Sequence, residues 1–271
     1  MACQEGGWLL MTLLNGSGGK PIAKALKAIE NYKEIVKGSY QSSKDYEDFM
    51  KCFDNESVDI IITDPPYPIP HGTKMNEFMG KKTKNYNSGF FYNLITLDKL
   101  KEFVEECFRV LKNNSHFFIM TNEGNLEEII SFAEDSGFIL KNKIIWVKCR
   151  DFNDGLAMGR YFLNGYEYML LFSKGVIEPI NDRMNVLVYP PKTMGLNAKP
   201  KELWAHCISS ITNKDSLIID PFGGSDPLTR CKMHRLIEGI TISNVLITTK
   251  GNDPAKWGIE LKSTLFNWGS N

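Results

Sequence analysis

Four consecutive residues, Asp64-Pro65-Pro66-Tyr67, set a carboxylate, two proline carbonyls and an aromatic ring directly after an apolar run. Proline fixes φ and lacks an N–H, so the two carbonyls are held rigid and free to accept from a ligand. With a carboxylate before them and a ring after them, they form a polar acceptor edge with a stacking face. That set suits a planar base bearing an exocyclic amine, with two N–H groups to be accepted and one ring to be stacked. A second stretch, Asp220-Pro221-Phe222-Gly223-Gly224-Ser225, follows another β-branched run. Glycines at a strand-to-helix turn let the backbone approach a ligand closely, and a helix N-terminus favours an anionic group. Asp226 and Pro227 read as the N-cap and first residue of that helix.

The elements that must position these residues follow from periodicity. Short β-branched runs at Val58–Thr63, His116–Thr121, Ile144–Lys148, Tyr168–Ser173 and Ser216–Asp220 read as strands. Between them lie amphipathic helices. From Asp98 to Leu111, one face carries Leu100, Phe103, Val104, Cys107 and Leu111. Leu126, Ile129, Ile130 and Ala133 repeat the pattern, with Gly137 as a C-terminal stop, and Glu202–Ile211 carries Leu203, Cys207 and Ile211. Alternation of this kind predicts an α/β fold with a mostly parallel sheet and helices on both faces. In such sheets ligands bind beyond the carboxyl ends of strands, where both motifs stand. Two long loops interrupt the pattern, 68–93 with Lys74, Lys81, Lys82 and Lys84, and 150–164 with Arg150 and Arg160.

The 271 residues fit one generous domain, and 42% of them are hydrophobic, enough for a full core. Thirty-two basic residues balance thirty-two acidic ones, so any nucleic acid must be met by local basic patches. Six scattered cysteines with no C-x-x-C pair predict neither a disulfide framework nor a zinc cluster, and fit a reducing compartment. His71, His116, His206 and His234 share no metal-ligand spacing, so no metal is expected. Gly16-Ser17-Gly18-Gly19-Lys20-Pro21 has the wrong spacing for a phosphate loop, and Pro21 stands where a hydroxyl is required. The apolar run Trp8–Leu14 is too short to span a bilayer and has no basic residue before it, which predicts a cytoplasmic protein with no membrane partner.

Taken together, the motifs carry a resemblance. Gly38 and a helix through Asp45–Phe53 lead into Glu56–Thr63 and Asp64-Pro65-Pro66-Tyr67. Gly159-Arg160, Tyr166-Glu167-Tyr168 and Phe172-Ser173-Lys174-Gly175 follow, then Lys199-Pro200-Lys201-Glu202-Leu203 and Asp220–Ser225. From about residue 34 to about residue 266 the chain resembles the DNA amino-methyltransferases that use S-adenosylmethionine. The Asp-Pro-Pro-Tyr motif preceding the Asp-Pro-Phe motif is the permuted order of their beta group. The resemblance implies a Rossmann-like methyltransferase fold with a mixed seven-stranded sheet, in one domain over residues 1–271. It implies that Asp64 and the Pro65 carbonyl accept from the target amine, within a catalytic set of Asp64, Pro65, Pro66 and Tyr67, and that Tyr67 stacks on a flipped-out base. Lys199, Pro200, Glu202, Pro221, Phe222, Gly223, Gly224 and Ser225 would wrap the cofactor, with Asp220 near its ammonium group. Lys74, Lys81, Lys82 and Lys84 would clamp double-stranded DNA, and Arg150 and Arg160 would serve target recognition. The group often dimerises, so a homodimer is also implied as possible.

Three positions depart from the family pattern. Asp226 and Pro227 replace its usual Gly-Thr. The acid expected to bind the ribose about twenty residues on would fall at Thr241; Trp257-Gly258-Ile259-Glu260-Leu261 matches better, which makes Glu260 the candidate and requires an insertion near 240–255. Asn197-Ala198 precede Lys199 in place of polar residues. Carbon-5 cytosine methylation requires a Pro-Cys nucleophile, and none of the twelve prolines precedes a cysteine. The reading is an adenine-N6 enzyme of restriction–modification type, since Asp as first motif residue is commoner among adenine enzymes. Cytosine-N4 transfer, a catalytically weak DNA-binding subunit and an RNA methyltransferase are the alternatives.

Overall fold

The computed structural model describes residues 24, 27–28, 32–36, 39–42, 45–66, 95–148, 165–180, 183–189, 199–211, 216–223 and 244–248. In chain order the described strands are β1 (Tyr32–Val36), β2 (Ser39–Ser42), β3 (Val58–Thr63), β4 (Leu111–Thr121), β5 (Ile139–Val147), β6 (Tyr166–Lys174), β7 (Val186–Val188), β8 (Leu217–Asp220) and β9 (Asn244–Thr248). The described α-helices are α1 (Tyr46–Met50), α2 (Leu97–Val110), α3 (Leu126–Asp135) and α4 (Lys201–Ser209). All nine strands form one sheet, in the order β1-β2-β9-β8-β3-β4-β6-β5-β7. Only β1 and β6 run against the others. The seven inner strands give the expected mixed sheet, and β1 and β7 add one strand at each edge.

Helices cover both faces, as the alternation requires. On one face Phe49 and Met50 of α1, Phe103, Val104 and Cys107 of α2, and Ile129 and Ala133 of α3 pack on Ile61, Phe117, Ile119, Leu170 and Phe172. On the other, Leu203, Trp204, Cys207 and Ile208 of α4 pack on Ile60, Ile62, Phe118, Met120 and Met169. Strand β3 is therefore apolar on both sides, which explains its continuous run of isoleucines. Local chemistry sets the helix ends. Asp45 caps α1 by accepting from the Asp48 N–H at 3.1 Å, and Thr96 caps α2 through the Lys99 N–H at 3.3 Å. Gly137 stops α3 with φ of +100°, its N–H donating to the Glu134 carbonyl and that of Phe138 to Ala133.

The structure extends two of the expected strands and adds another. Strand β4 starts at Leu111, where α2 was expected to continue, because the Leu111 backbone is already extended, with ψ of 137°. Its polar first half is held by tertiary partners that leave no trace in hydropathy. Lys112 pairs with Asp59 at 2.6 Å, and the Asn113 amide donates to Glu56 at 3.0 Å. Strand β5 likewise begins at Ile139, five residues early, through antiparallel pairing with β6. The stretch 240–255, read as an insertion relative to the family, holds β9, which pairs in parallel with both β8 and β2. No described helix is long and apolar enough to cross a membrane.

Chain direction creates one crevice. From β3 the chain crosses through α2 to β4 on one side, whereas from β8 it goes to β9 on the other. Adjacent parallel strands whose connections diverge leave a gap beyond their carboxyl ends, where ligands of open α/β sheets bind. Asp64 and Asp220 stand at the two ends that flank it.

Within the sheet His116 is only 4% exposed. Burial, with the Lys141 ammonium adding to it, holds its imidazole down at about 4. In the unfolded chain it protonates near 6.5, so between those values the unfolded state binds more protons. Folding free energy is thus complete above pH 6.5 and falls by up to about 3 kcal/mol as the pH drops to 4. Chemical denaturation at stepped pH is expected to show this loss, and His116→Gln to flatten it.

Candidate active site

The first motif leaves β3 at its carboxyl end. Thr63 is the last strand residue, fully buried, and its hydroxyl donates to Oδ1 of Asp220 at 2.6 Å. The same Asp220 oxygen accepts the Phe222 N–H at 3.0 Å, an Asx turn that bends the chain sharply after β8. Asp220 is 1% exposed. One buried carboxylate thus shapes its own loop and ties it to the other motif. The Phe222 ring lies against Tyr46 (centroids 4.9 Å apart) and Phe103 (5.0 Å), so α1 and α2 form an aromatic wall beside the turn. Burial, then the neighbouring Glu47 carboxylate, pushes the Tyr46 hydroxyl upward, and it stays neutral.

Asp64 begins a line of alternating charges. The Lys199 ammonium contacts its Oδ2 at 2.8 Å and reaches Oε2 of Glu167 at 3.4 Å. Oε1 of Glu167 pairs with the ammonium of Lys148, which lies 5.6 Å from the centre of the Trp146 ring. The four groups come from the residue after β3, the second residue before α4, β6 and the residue after β5. Two carboxylates and two ammoniums cancel, as charges this far from water must. Burial pushes the Asp64 carboxyl upward, and the Lys199 ammonium holds it back. Burial acts on Glu167 in the same sense, but Lys199 and Lys148 outweigh it and hold that carboxyl below its ordinary range.

The sequence-predicted residues are brought together in part. Asp64, Pro65, Pro66, Lys199, Pro200, Glu202, Asp220, Pro221, Phe222 and Gly223 are described and converge at the carboxyl edge of the sheet. Pro200 is the N-cap of α4 and Glu202 lies in its first turn. One expectation is corrected: the Pro66 carbonyl is not free, since it accepts the Ile95 N–H at 2.9 Å and fastens the turn to the entry of α2. Tyr67, Gly224, Ser225, Glu260, Lys74, Lys81, Lys82, Lys84, Arg150 and Arg160 lie outside the described residues, as do both long loops. Sequence reasoning missed Thr63, Lys148 and Glu167. Their one signal is a polar residue at the end or start of an otherwise apolar strand.

Replacing Thr63 by valine keeps the shape and removes the donor from a buried carboxylate. Urea unfolding of Thr63→Val is expected to show a loss of about 1–3 kcal/mol, the cost of leaving a buried acceptor without its donor. A value within error of zero would mean that the other contacts of Asp220 hold it without Thr63.

The family model for DNA methylase (N6_N4_Mtase) matches residues 58–194, just over half the chain. Type II methyltransferase M2.MboI of Moraxella bovis is 27% identical over 205 residues, 66% of this chain and 72% of that protein. Type II methyltransferase M.HinfI of Haemophilus influenzae is 27% identical over 173 residues, 62% of this chain but 45% of its own length. Among solved structures, the M1.HpyAVI–SAM complex superposes with a TM-score of 0.53 at 22% identity, covering 77% of this chain and 92% of that one. The PvuII DNA methyltransferase (cytosine-N4-specific) gives 0.57 at 15% identity, covering 86% and 92%. At those identities the two structures share the fold. The matched span holds β3, Asp64-Pro65-Pro66-Tyr67 and the strand that carries Glu167, and the chain belongs to the DNA methylase family of N6/N4 amino-methyltransferases, whose cofactor is S-adenosylmethionine.

Proposed function

We propose that the chain methylates the exocyclic amine of adenine in double-stranded DNA. The observation that carries this reading is the Thr63–Asp220 hydrogen bond of 2.6 Å, which sets the amine-accepting motif beside the cofactor loop at a single crevice. The residues present fit S-adenosylmethionine. A buried carboxylate and an aromatic wall suit a ligand with cationic groups and an adenine ring, so Asp220, Phe222 and the 200–203 segment would hold it. When bound, it supplies a methyl group whose bond to the sulfonium breaks as the amine nitrogen forms its own bond to carbon.

The chain's own residues prepare the amine. Asp64 and the Pro65 carbonyl accept its two hydrogens and draw nitrogen from planar toward tetrahedral, which localises the lone pair. An aryl amine gives up its proton readily only once methylated, so Asp64 acts as an acceptor before it acts as a base. Tyr67 stacks on the extruded base, a contact worth about 1–3 kcal/mol. The lysines at 74, 81, 82 and 84 meet the DNA backbone, where they add affinity without sequence information.

Adenine is favoured by Asp64 itself, the first motif residue. The cytosine-N4-specific neighbour shares only the fold at 15% identity and leaves the preference standing. In a host lacking DNA methylation, expression of the chain is expected to put N6-methyladenine into nucleoside digests read by mass spectrometry. Asp64→Ala should lower the rate on the order of 10²–10³, as for loss of one polarising contact. N4-methylcytosine instead would overturn the choice of base, and neither mark from folded protein would favour a DNA-binding subunit.

A further inference from the structure

The line of charges behind Asp64 has no evident structural purpose. A buried ionic array is often no more stabilising than apolar side chains of similar volume, and here Oε2 of Glu167 makes no hydrogen bond among the described residues. This one also points at the reacting group: it starts at Lys148 and ends on Oδ2 of Asp64. We propose that Lys199 is a positioning residue for Asp64: shared with Glu167, which Lys148 braces, its ammonium fixes one carboxylate oxygen and leaves the other for the amine.

The geometry supplies each part of this. Lys199 touches Oδ2 at 2.8 Å, and Oδ1 has no hydrogen-bond partner among the described residues. An acceptor for an N–H must be ionised, because a protonated carboxyl would present a donor to another donor. Burial favours the protonated form, and among the described residues the one charge in direct contact that opposes it is Lys199. The charged groups facing Asp64 are Lys199 before α4, Glu167 from β6 and, beyond Glu167, Lys148 after β5. Glu167 repels the Asp64 charge directly and also draws Lys199 toward itself at 3.4 Å. Sharing of the ammonium keeps Asp64 ionised without neutralising it as an acceptor. The inference rests on the proposed reaction for the identity of the amine, but the ionisation of Asp64 can be read without it.

The experiment is a carboxyl ¹³C NMR titration of the full chain labelled at aspartate side chains, with neither cofactor nor DNA, Asp64→Asn assigning the resonance. In Lys199→Met the Asp64 midpoint is expected to rise by about one pH unit or more, the size of an opposite charge in contact, and in Lys199→Arg to stay near that of the wild type. In Glu167→Gln it should fall, since repulsion is removed and Glu167 no longer draws the Lys199 ammonium toward itself. At saturating cofactor and DNA, the acid limb of the single-turnover rate in Lys199→Met should move upward with the same midpoint. An unmoved midpoint in Lys199→Met, with only weaker S-adenosylmethionine binding, would overturn the proposal and return Lys199 to the cofactor. So would a rise in Glu167→Gln, which remains decisive if Lys199→Met does not fold. Absence of methyl transfer by the wild-type chain counts against the proposed reaction and leaves the titration standing.

Discussion

A hydroxyl–carboxylate contact of 2.6 Å between Thr63 and Asp220, 157 residues apart in sequence, fixes the relation between the two halves of this site. Parallel strands β3 and β8 pair through only two positions, Ile60 with Ile218 and Ile61 with Ile219. Beyond those pairs no ladder position joins the two strands, and the motifs that follow need a further tie. The buried Asp220 does so through one oxygen, which accepts from the neighbouring strand and from its own turn. A carboxyl group this deep costs free energy unless its lone pairs are used, so the same requirement that makes it expensive also makes its geometry specific.

The crevice follows from topology and its lining from the two faces of the sheet. On the α1–α2 side the walls are aromatic, with Phe222 against Tyr46 and Phe103. On the α4 side they are ionic, because Asp64 and Glu167 continue the alternation that buries Ile60, Ile62 and Met169 against Trp204 and Leu203. A strand period of two thus sorts the site into an apolar side for flat rings and a charged side for polar atoms. The division needs no feature beyond the residues that follow each strand's last buried position.

Much of this was legible in the chain, and what was not has a common physical origin. The bounds of β3 match the reading residue for residue, since a strand buried on both faces announces itself through its run Ile60-Ile61-Ile62. The amphipathic faces of α2 and α3 were equally plain, as was Gly137, whose φ of +100° strongly favours glycine. The polar first half of β4 was not, because Lys112 and Asn113 are kept in the sheet by Asp59 and Glu56, partners that hydropathy does not register. Nor was β9, five residues whose identity as a strand comes from its neighbours on both sides. The charged line was invisible for the same reason. Its members at 64, 148, 167 and 199 meet only after four elements have been placed, so the chain shows two motif residues and two strand-end charges rather than a line.

The sharing of Lys199 resolves a conflict that any such acceptor faces. A carboxylate in a low-dielectric site is a strong acceptor only while ionised, and a lone ammonium in tight contact would keep it so by occupying the charge the amine needs. At 2.8 Å from Asp64 and 3.4 Å from Glu167, one ammonium answers to two carboxylates. Lys148 in turn satisfies the far oxygen of Glu167, so that Glu167 draws on Lys199 without capturing it. Pairing two by two, the four groups leave the acceptor ionised, oriented through one oxygen, and less than fully neutralised. Reducing the line to the Lys199–Asp64 pair would keep the acceptor ionised and oriented but leave the ammonium to that carboxylate.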